Sequence, residues 1–277
     1  MQFTKMNGAG NDFIILDNMD LSISPERLSE LAKKLCACHT SIGADGLMAV
    51  EPAENGGDFA MRFYNSDGSL SEMCGNGARC IARYGYENGL AGENMSIETT
   101  AGPVTAQRLS RRNYKIRLND PSVLELDWPV RSGGMEYDCS YVELGDPGIP
   151  HAVLIYPEFD RVGIESLRRL GMQLRYASAF PRGANINFAK QLSGNRLKVL
   201  TFERGVEDFT LACGTGCGSV AAVMCLKGLV KPDNIKLENR GGELSVSLST
   251  DGGTVRSIYL SGYTNLVCRG EILDEDL

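Results

Sequence analysis

Short stretches of alternating or continuous apolar residues recur along the chain. They predict strands at Phe13–Leu16, Ala60–Tyr64, Met95–Thr99, Tyr114–Leu118 and Ala152–Tyr156. Further runs predict strands at Ile186–Ala189, Arg196–Phe202, Ile235–Leu237, Leu244–Leu248 and Val255–Tyr259. Pro25 to Cys38 has helical periodicity, with Ser24 as its N-cap and Pro25 at the first helical position. Ile164 to Gln173 is its counterpart further on. Two more helices follow glycine-rich turns: Gly77 to Asn88, stopped by Gly89, and Gly216 to Lys227, stopped by Gly228. Within the latter, Ser219 to Leu226 is apolar almost all round, the pattern of a helix buried inside a sheet.

The pattern also repeats. Cys74-Gly-Asn-Gly and Cys213-Gly-Thr-Gly are 213 − 74 = 139 residues apart, about half of the 277 in the chain. Phe63-Tyr64-Asn65 matches Phe202-Glu203-Arg204 at the same offset. Phe13 to Leu16 matches Ala152 to Ile155, and Gly43-Ala44-Asp45 matches Gly183-Ala184-Asn185 at 140. Chance among 32 glycines competes as an explanation for any one match; four in one order predict two similar halves. The join falls near Asn119-Asp120-Pro121. The expected domains are 1–119, to which a last strand within 264–277 returns, and 120–263.

Composition narrows the class. Hydrophobic residues at 43% and charged residues at 23% exclude disorder. A balance of 28 basic against 35 acidic residues argues against a nucleic-acid-binding surface. No basic segment followed by an apolar stretch opens the chain, and no run reaches the roughly 18 apolar residues of a membrane helix, so the expected compartment is the cytoplasm. Nine cysteines, an odd number without an export signal, argue against a disulfide framework. Their spacings, C-x-C-H, C-x5-C and C-x3-C, fit zinc poorly, and no metal is expected. Cys36, Cys80, Cys225 and Cys268 sit among apolar neighbours and read as small buried hydrophobes. Cys74 and Cys213 differ because glycines surround them.

A cysteine just before a helix start meets the positive end of the helix dipole, which favours thiolate and lowers a pKa of about 8.5. Flanking glycines let backbone N–H groups approach an anion. Each turn is thus a reactive thiol, a carboxylate cradle, both, or a purely structural strand-to-helix joint. Two such turns suit one substrate held between two thiols. One thiolate removes a proton from carbon and the opposite thiol supplies one, inverting a stereocentre without a cofactor. Dinucleotide binding fits worse: in Asn7-Gly-Ala-Gly-Asn-Asp-Phe13, Phe13 stands where a third glycine belongs, and a strand follows. There is no G-x-x-x-x-G-K-[ST] and no H-E-x-x-H. A pyridoxal lysine has no short signature and stays open.

These residues resemble the diaminopimelate epimerases, cofactor-independent enzymes that interconvert LL- and meso-diaminopimelate. The likeness spans essentially the whole chain. It is carried by Lys5 to Phe13, Ile42-Gly-Ala-Asp-Gly46, Asn65-Ser-Asp-Gly68 and Met73 to Arg79. In the second half it is carried by Pro150-His151, Asn185, Glu203-Arg204-Gly205 and Ala212 to Gly216. Proline and hydroxyproline racemases typically have Cys-Gly-His-Gly at the first turn, where this chain has Asn76. The resemblance implies two similar α/β domains, each a barrel-like, mostly antiparallel sheet around a central helix, with the active site in the cleft between them. It implies a homodimer acting on a small molecule, without nucleic acid or membrane. It makes Cys74 and Cys213 the two acid/base residues. Asn11, Gly75, Asn76, Gly214 and Thr215 would hold the reacting carboxylate and amino group, and Asn65, Asn185 and Arg204 the distal end. Glu203 and His151 would assist near the reacting centre.

Plainer roles compete. Asn11 and Asn65 suit turns, His151 suits a strand end, and Glu203-Arg204 suits a surface ion pair. The chain departs from the family where many members have Gly-Asn-Pro-His and it has Gly148-Ile149-Pro150-His151. The missing asparagine would bind the distal amino group, and Asp146-Pro147-Gly148 reads as a slightly lengthened loop. After Arg204 many members read Gly-x-Gly-Glu-Thr, against Gly205 to Thr210 here. A racemase of the same fold for another amino acid, such as histidine, is the alternative. A non-enzymatic metal- or redox-sensing thiol protein is the competing class.

Overall fold

The computed structural model describes residues 1–71 and 74–273. Glu72 and Met73 of the first glycine turn, and positions 274–277 of the expected returning strand, lie outside the described residues. The chain divides into two compact units, 1–116 with the stretch from 261 onward, and Arg117–Leu260.

The first unit contains β1 (Gln2–Gly8), β2 (Asn11–Asp17), α1 (Pro25–Leu35), β3 (Gly46–Glu51), β4 (Phe59–Asn65) and β5 (Leu70–Ser71). It continues with α2 (Gly75–Glu87), β6 (Asn94–Thr99), β7 (Gly102–Arg108) and β8 (Asn113–Arg117). The second has β9 (Pro121–Ser132), β10 (Met135–Gly145), β11 (Gly148–Ile155), α3 (Ile164–Arg175), β12 (Asn185–Ser193) and β13 (Arg196–Glu203). After β14 (Asp208–Phe209) come α4 (Gly214–Leu226), β15 (Ile235–Asn239), β16 (Gly242–Asp251) and β17 (Thr254–Glu271), whose later part belongs to the first unit.

Strand pairing repeats from unit to unit. β2 runs parallel to β3 and β4 to β6; likewise β11 runs parallel to β12 and β13 to β15. β1–β17, β1–β2, β3–β4, β6–β7, β7–β8, β9–β10, β10–β11, β12–β13 and β15–β16 are antiparallel, as are the short β4–β5 and β13–β14 pairs that lead into the glycine turns. In the first unit the sheet closes: β17, β1, β2, β3, β4, β6, β7 and β8 pair in turn, and β8 pairs back with β17.

The helices are of two kinds. Ser24 Oγ accepts from Arg27 N (3.3 Å) at the start of α1, and Leu28, Leu31, Ala32 and Leu35 form its buried stripe against Ile14, Leu16 and Leu47. α3 buries Leu167 and Leu174 and lays Gly171 on Phe202, where a Cβ would meet the ring at 2.9 Å. α2 and α4 are instead enclosed. α4 touches β10, β11, β12, β13 and β16 and is buried from Gly216 to Met224, which explains a sequence apolar on all sides. Among the described residues no helix is long and apolar enough to cross a membrane.

Several expectations need correction. β17 is one strand of 18 residues, where two separate runs were expected. β1, β3, β7, β9 and β10 carry no predicted run. In β1 the inward positions are Thr4, Met6 and Gly8, so alternation of burial is not alternation of hydrophobicity. β3 is buried at every position and has no period to read. The hairpin between Gly145 and Gly148 is closed by Asp146-Pro147 alone, a tight turn. Cys36 and Cys80 are buried, and burial pushes each thiol up to about 12. Cys225 is half-buried, and Cys268 is exposed on β17, contrary to its apolar sequence setting.

Candidate active site

In each unit the cysteine of the Cys-Gly-x-Gly turn is the N-cap of the enclosed helix. Cys74 caps α2 with an extended backbone (φ −128°, ψ 121°), and Cys213 caps α4 in the same way (φ −112°, ψ 115°). Both are half-buried. The strand-to-helix corner brings each thiol to the helix end where backbone N–H groups are unsatisfied. Gly75 and Gly214 are the first helical residues, and neither is fully buried.

The first unit arranges its turn through a chain of polar contacts. Asn76 Nδ2 donates to Asn11 Oδ1 (2.7 Å), and Asn11 Nδ2 donates to Asp45 Oδ2 (2.9 Å). Asp45 also accepts from Asp12 N (3.1 Å), and Asp12 pairs with Lys5 (2.9 Å). At the other end Arg79, wholly buried in α2, donates to Asn76 Oδ1 (2.7 Å) and to Gly75 O (3.1 Å). A carboxylate only accepts and a guanidinium only donates, so the two ends fix the orientation of both amides. Asp45 and Arg79 were quoted in motifs without a role; the signal for them was their charge inside otherwise small-residue segments. Asn65 lies apart from this chain, its Nδ2 donating to Ser69 Oγ (3.0 Å) in the turn after β4.

In the second unit Gly216 N donates to Cys213 Sγ (3.4 Å), and Thr215 Oγ1 lies 3.5 Å from it. Glu203, at the end of β13, accepts from Thr210 Oγ1 (2.8 Å), and its charge acts on the Cys213 thiol. Burial and then the Glu203 charge push the Cys213 thiol well above its ordinary value, against the pull of Thr215 and Gly216 N–H. Cys213 therefore departs in sign from what its helix end alone would give: its surroundings favour the thiol, not the thiolate. Burial likewise raises Glu203, against the Thr210 hydrogen bond and the nearby Cys213 thiol. Glu203 thus acts on the Cys213 turn and, among the described residues, makes no ion pair with Arg204.

His151 is wholly buried within β11, where it pairs with Asn185 of β12. Burial, then the nearby Arg204 charge, lowers it to about 3. Asn185 Nδ2 donates to Pro150 O (3.2 Å), and its Oδ1 accepts from Arg204 N (2.8 Å), so this side chain ties β11 to the turn after β13. The Arg204 side chain is exposed and donates to Arg182 O (3.1 Å). Ile149 is half-buried opposite Leu144. Sequence reasoning missed Asn187, Thr201 and Thr210, which reach the site only through strand pairing.

The family model described as diaminopimelate epimerase matches residues 3–120 and 145–267. The chain is similar to the protein named diaminopimelate epimerase of Aquifex aeolicus, 37% identical over 287 residues and covering 100% of this chain and 99% of the relative. The protein of that name from Methanothrix thermoacetophila is 36% identical, covering 100% and 98%. Among solved structures, a PhzF-family phenazine biosynthesis protein of Bacillus anthracis superposes with a TM-score of 0.72 at 16% identity, covering 99% of each chain. A probable proline racemase from Agrobacterium radiobacter, with bound carbonate, gives 0.70 at 17% identity over 99% of this chain and 93% of its own. At such identity these two structures speak to the fold.

Proposed function

The chain belongs to the diaminopimelate epimerase family of isomerases, and on that premise we propose that it interconverts LL- and meso-2,6-diaminopimelate with Cys74 and Cys213 as the two acid/base residues. The observation that carries the reading is the paired architecture: in two similarly built units, one cysteine caps the enclosed helix within the same Cys-Gly-x-Gly turn.

The chemistry balances without a cofactor. One cysteine, as thiolate, takes the α-proton; the C–H bond breaks and an S–H bond forms. The electron pair left on carbon is delocalised into the α-carboxylate. The other thiol then gives its proton to the opposite face of carbon and becomes the thiolate. Backbone N–H groups at the starts of α2 and α4 suit the growing carboxylate charge, each such donor contributing about 10²–10³ in rate where its aim is good. Thr215, Gly75, Gly214 and the Asn11–Asn76 pair belong to this cradle. The Glu203 charge keeps the Cys213 thiol protonated until a proton is needed, and His151 assists near the reacting centre. Asn65, Asn185 and Arg204 take the distal end, where a guanidinium suits a second carboxylate. Ile149 leaves the distal amino group, which only donates, to other acceptors.

The homodimer and a place in lysine and cell-wall precursor synthesis rest on the family resemblance, and the cytoplasmic setting on the sequence pattern. Full-length likeness to relatives of one name favours diaminopimelate over another amino acid and over a thiol sensor. Incubation with LL-diaminopimelate, meso-diaminopimelate, L-histidine and L-proline, each followed by chiral chromatography, tests the reading. It expects interconversion of the two diaminopimelate isomers. Racemised histidine beside untouched diaminopimelate would replace it with the alternative.

A further inference from the structure

Asn187 projects from β12 and is wholly buried. Its Nδ2 lies 3.1 Å from Ala152 O, 3.3 Å from Asn185 O and 3.3 Å from His151 Nδ1. Its Oδ1 accepts from the buried Thr201 Oγ1 (2.9 Å). Two of these neighbours are backbone carbonyls, which only accept, so the amide end facing them is the NH2. Turning the amide over would set oxygen against two oxygens. The orientation of Asn187 is therefore fixed by its surroundings, without reference to the histidine.

That orientation decides the histidine. An amide NH2 accepts no hydrogen bond, so an Nδ1–H facing it would meet no acceptor, whereas a bare Nδ1 offers it a lone pair; a neutral imidazole with Nδ1 bare carries its proton on Nε2. Burial and Arg204 act in the same direction, against the doubly protonated ring. The Nε2 atom is itself buried and has no hydrogen-bond partner among the described residues. The other face of Asn187 meets the cysteine turn: a Cβ at Gly216 would come within 2.4 Å of Asn187 Oδ1, and Gly216 N is the donor to Cys213 Sγ.

We propose that Asn187 is a positioning residue that locks His151 as its neutral Nε2–H tautomer, so that His151 serves the reaction as a hydrogen-bond donor and not as a base. The lock stands on geometry alone; the service to the reaction rests on the function proposed above. Only two histidines occur in the chain, and the other, His39, is exposed and outside the site. A His39→Gln protein labelled with ring-15N histidine therefore reports His151 alone.

Two-bond 1H–15N correlation should show a protonated Nε2 and a bare Nδ1, unchanged from about pH 6 to 8. A proton on Nδ1, or a doubly protonated ring in that range, would overturn the lock. Asn187→Ala should let both tautomers appear and lower kcat for diaminopimelate at least about tenfold, with KM within about twofold. Thr201→Val, which leaves both carbonyls in place, should keep the Nε2–H tautomer. Should Thr201→Val mix the tautomers, the carbonyls would not be what fixes the amide. The lock with full turnover in Asn187→Ala would remove the positioning role. Wild-type protein that shows the lock but leaves diaminopimelate unchanged would instead refute the proposed function.

Discussion

A carboxyl whose charge acts on a half-buried thiol sets how the site answers to pH. Free enzyme needs one thiol and one thiolate, so kcat/KM falls on the alkaline side when the last thiol proton is lost. Burial and the Glu203 charge hold Cys213 high, so this limb should lie above the ordinary thiol value of about 8.5. Glu203→Gln removes the charge and leaves the burial. The limb should move to lower pH yet stay above the ordinary value, with kcat reduced roughly ten- to hundredfold. Stability should respond with the opposite preference. A carboxyl raised in the fold helps folding below its unfolded value, near 4.5, and that help is lost as pH rises through the folded value. At neutral pH, Glu203→Gln should therefore raise the melting temperature; a fall would mean that the Thr210 and Cys213 contacts outweigh burial. Arg204 makes a separate prediction. Losing its contact to a distal carboxylate should cost about 2–5 kcal/mol in kcat/KM for Arg204→Ala, and Arg204→Lys, without the planar fork, should stay impaired. Kinetics with diaminopimelate that match wild type in both variants would move the distal pocket elsewhere. At this scale the two cysteines were legible, because a Cys-Gly-x-Gly turn occurring twice is local. The sign of the Cys213 shift was not. It comes from Glu203, ten residues away in sequence and brought near by β13 and β14.

Among the elements, the enclosed helices were readable because nothing polar interrupts α4, and α1 because its stripe and cap agree. The strands that went unread are those whose burial and hydrophobicity diverge, such as β1, or whose burial has no period, such as β3. The glycines of the two turns look alike in sequence but differ in what they face. A Cβ at Gly77 would meet Met48 Cε at 2.0 Å, the far end of a flexible side chain that can turn away. A Cβ at Gly216 would meet the Asn187 amide, held by four partners. Gly216→Ala should thus cost about 1–3 kcal/mol in urea unfolding and suppress turnover, and Gly77→Ala should cost less. Equal costs would mean that Asn187 yields as readily as Met48.

Across the whole molecule, repetition was the most legible property. The 139-residue offset in sequence corresponds to one order of strands and one set of parallel pairs, formed twice. It does not reveal what each copy contributes, since the first arranges its turn with Asp45, Asn11, Asn76 and Arg79 and the second with Glu203, Thr210, Thr215 and Asn187. If both copies are needed for proton transfer, Cys74→Ala and Cys213→Ala should each lower epimerisation by at least about a thousandfold. Each variant should still eliminate a β-leaving group from the one α-isomer that offers its proton to the surviving thiolate. Near-wild-type epimerisation in either variant would make its turn structural. The most direct test needs no substitution. LL-diaminopimelate is converted in D2O and sampled by NMR at a few per cent turnover. Two bases, one removing a proton and the other delivering a deuteron, predict deuterium at the inverted α-carbon of the product while recovered substrate keeps its protium. Protium carried over into product, or substrate exchanging as fast as product forms, would show a single base working both faces and would contradict the account.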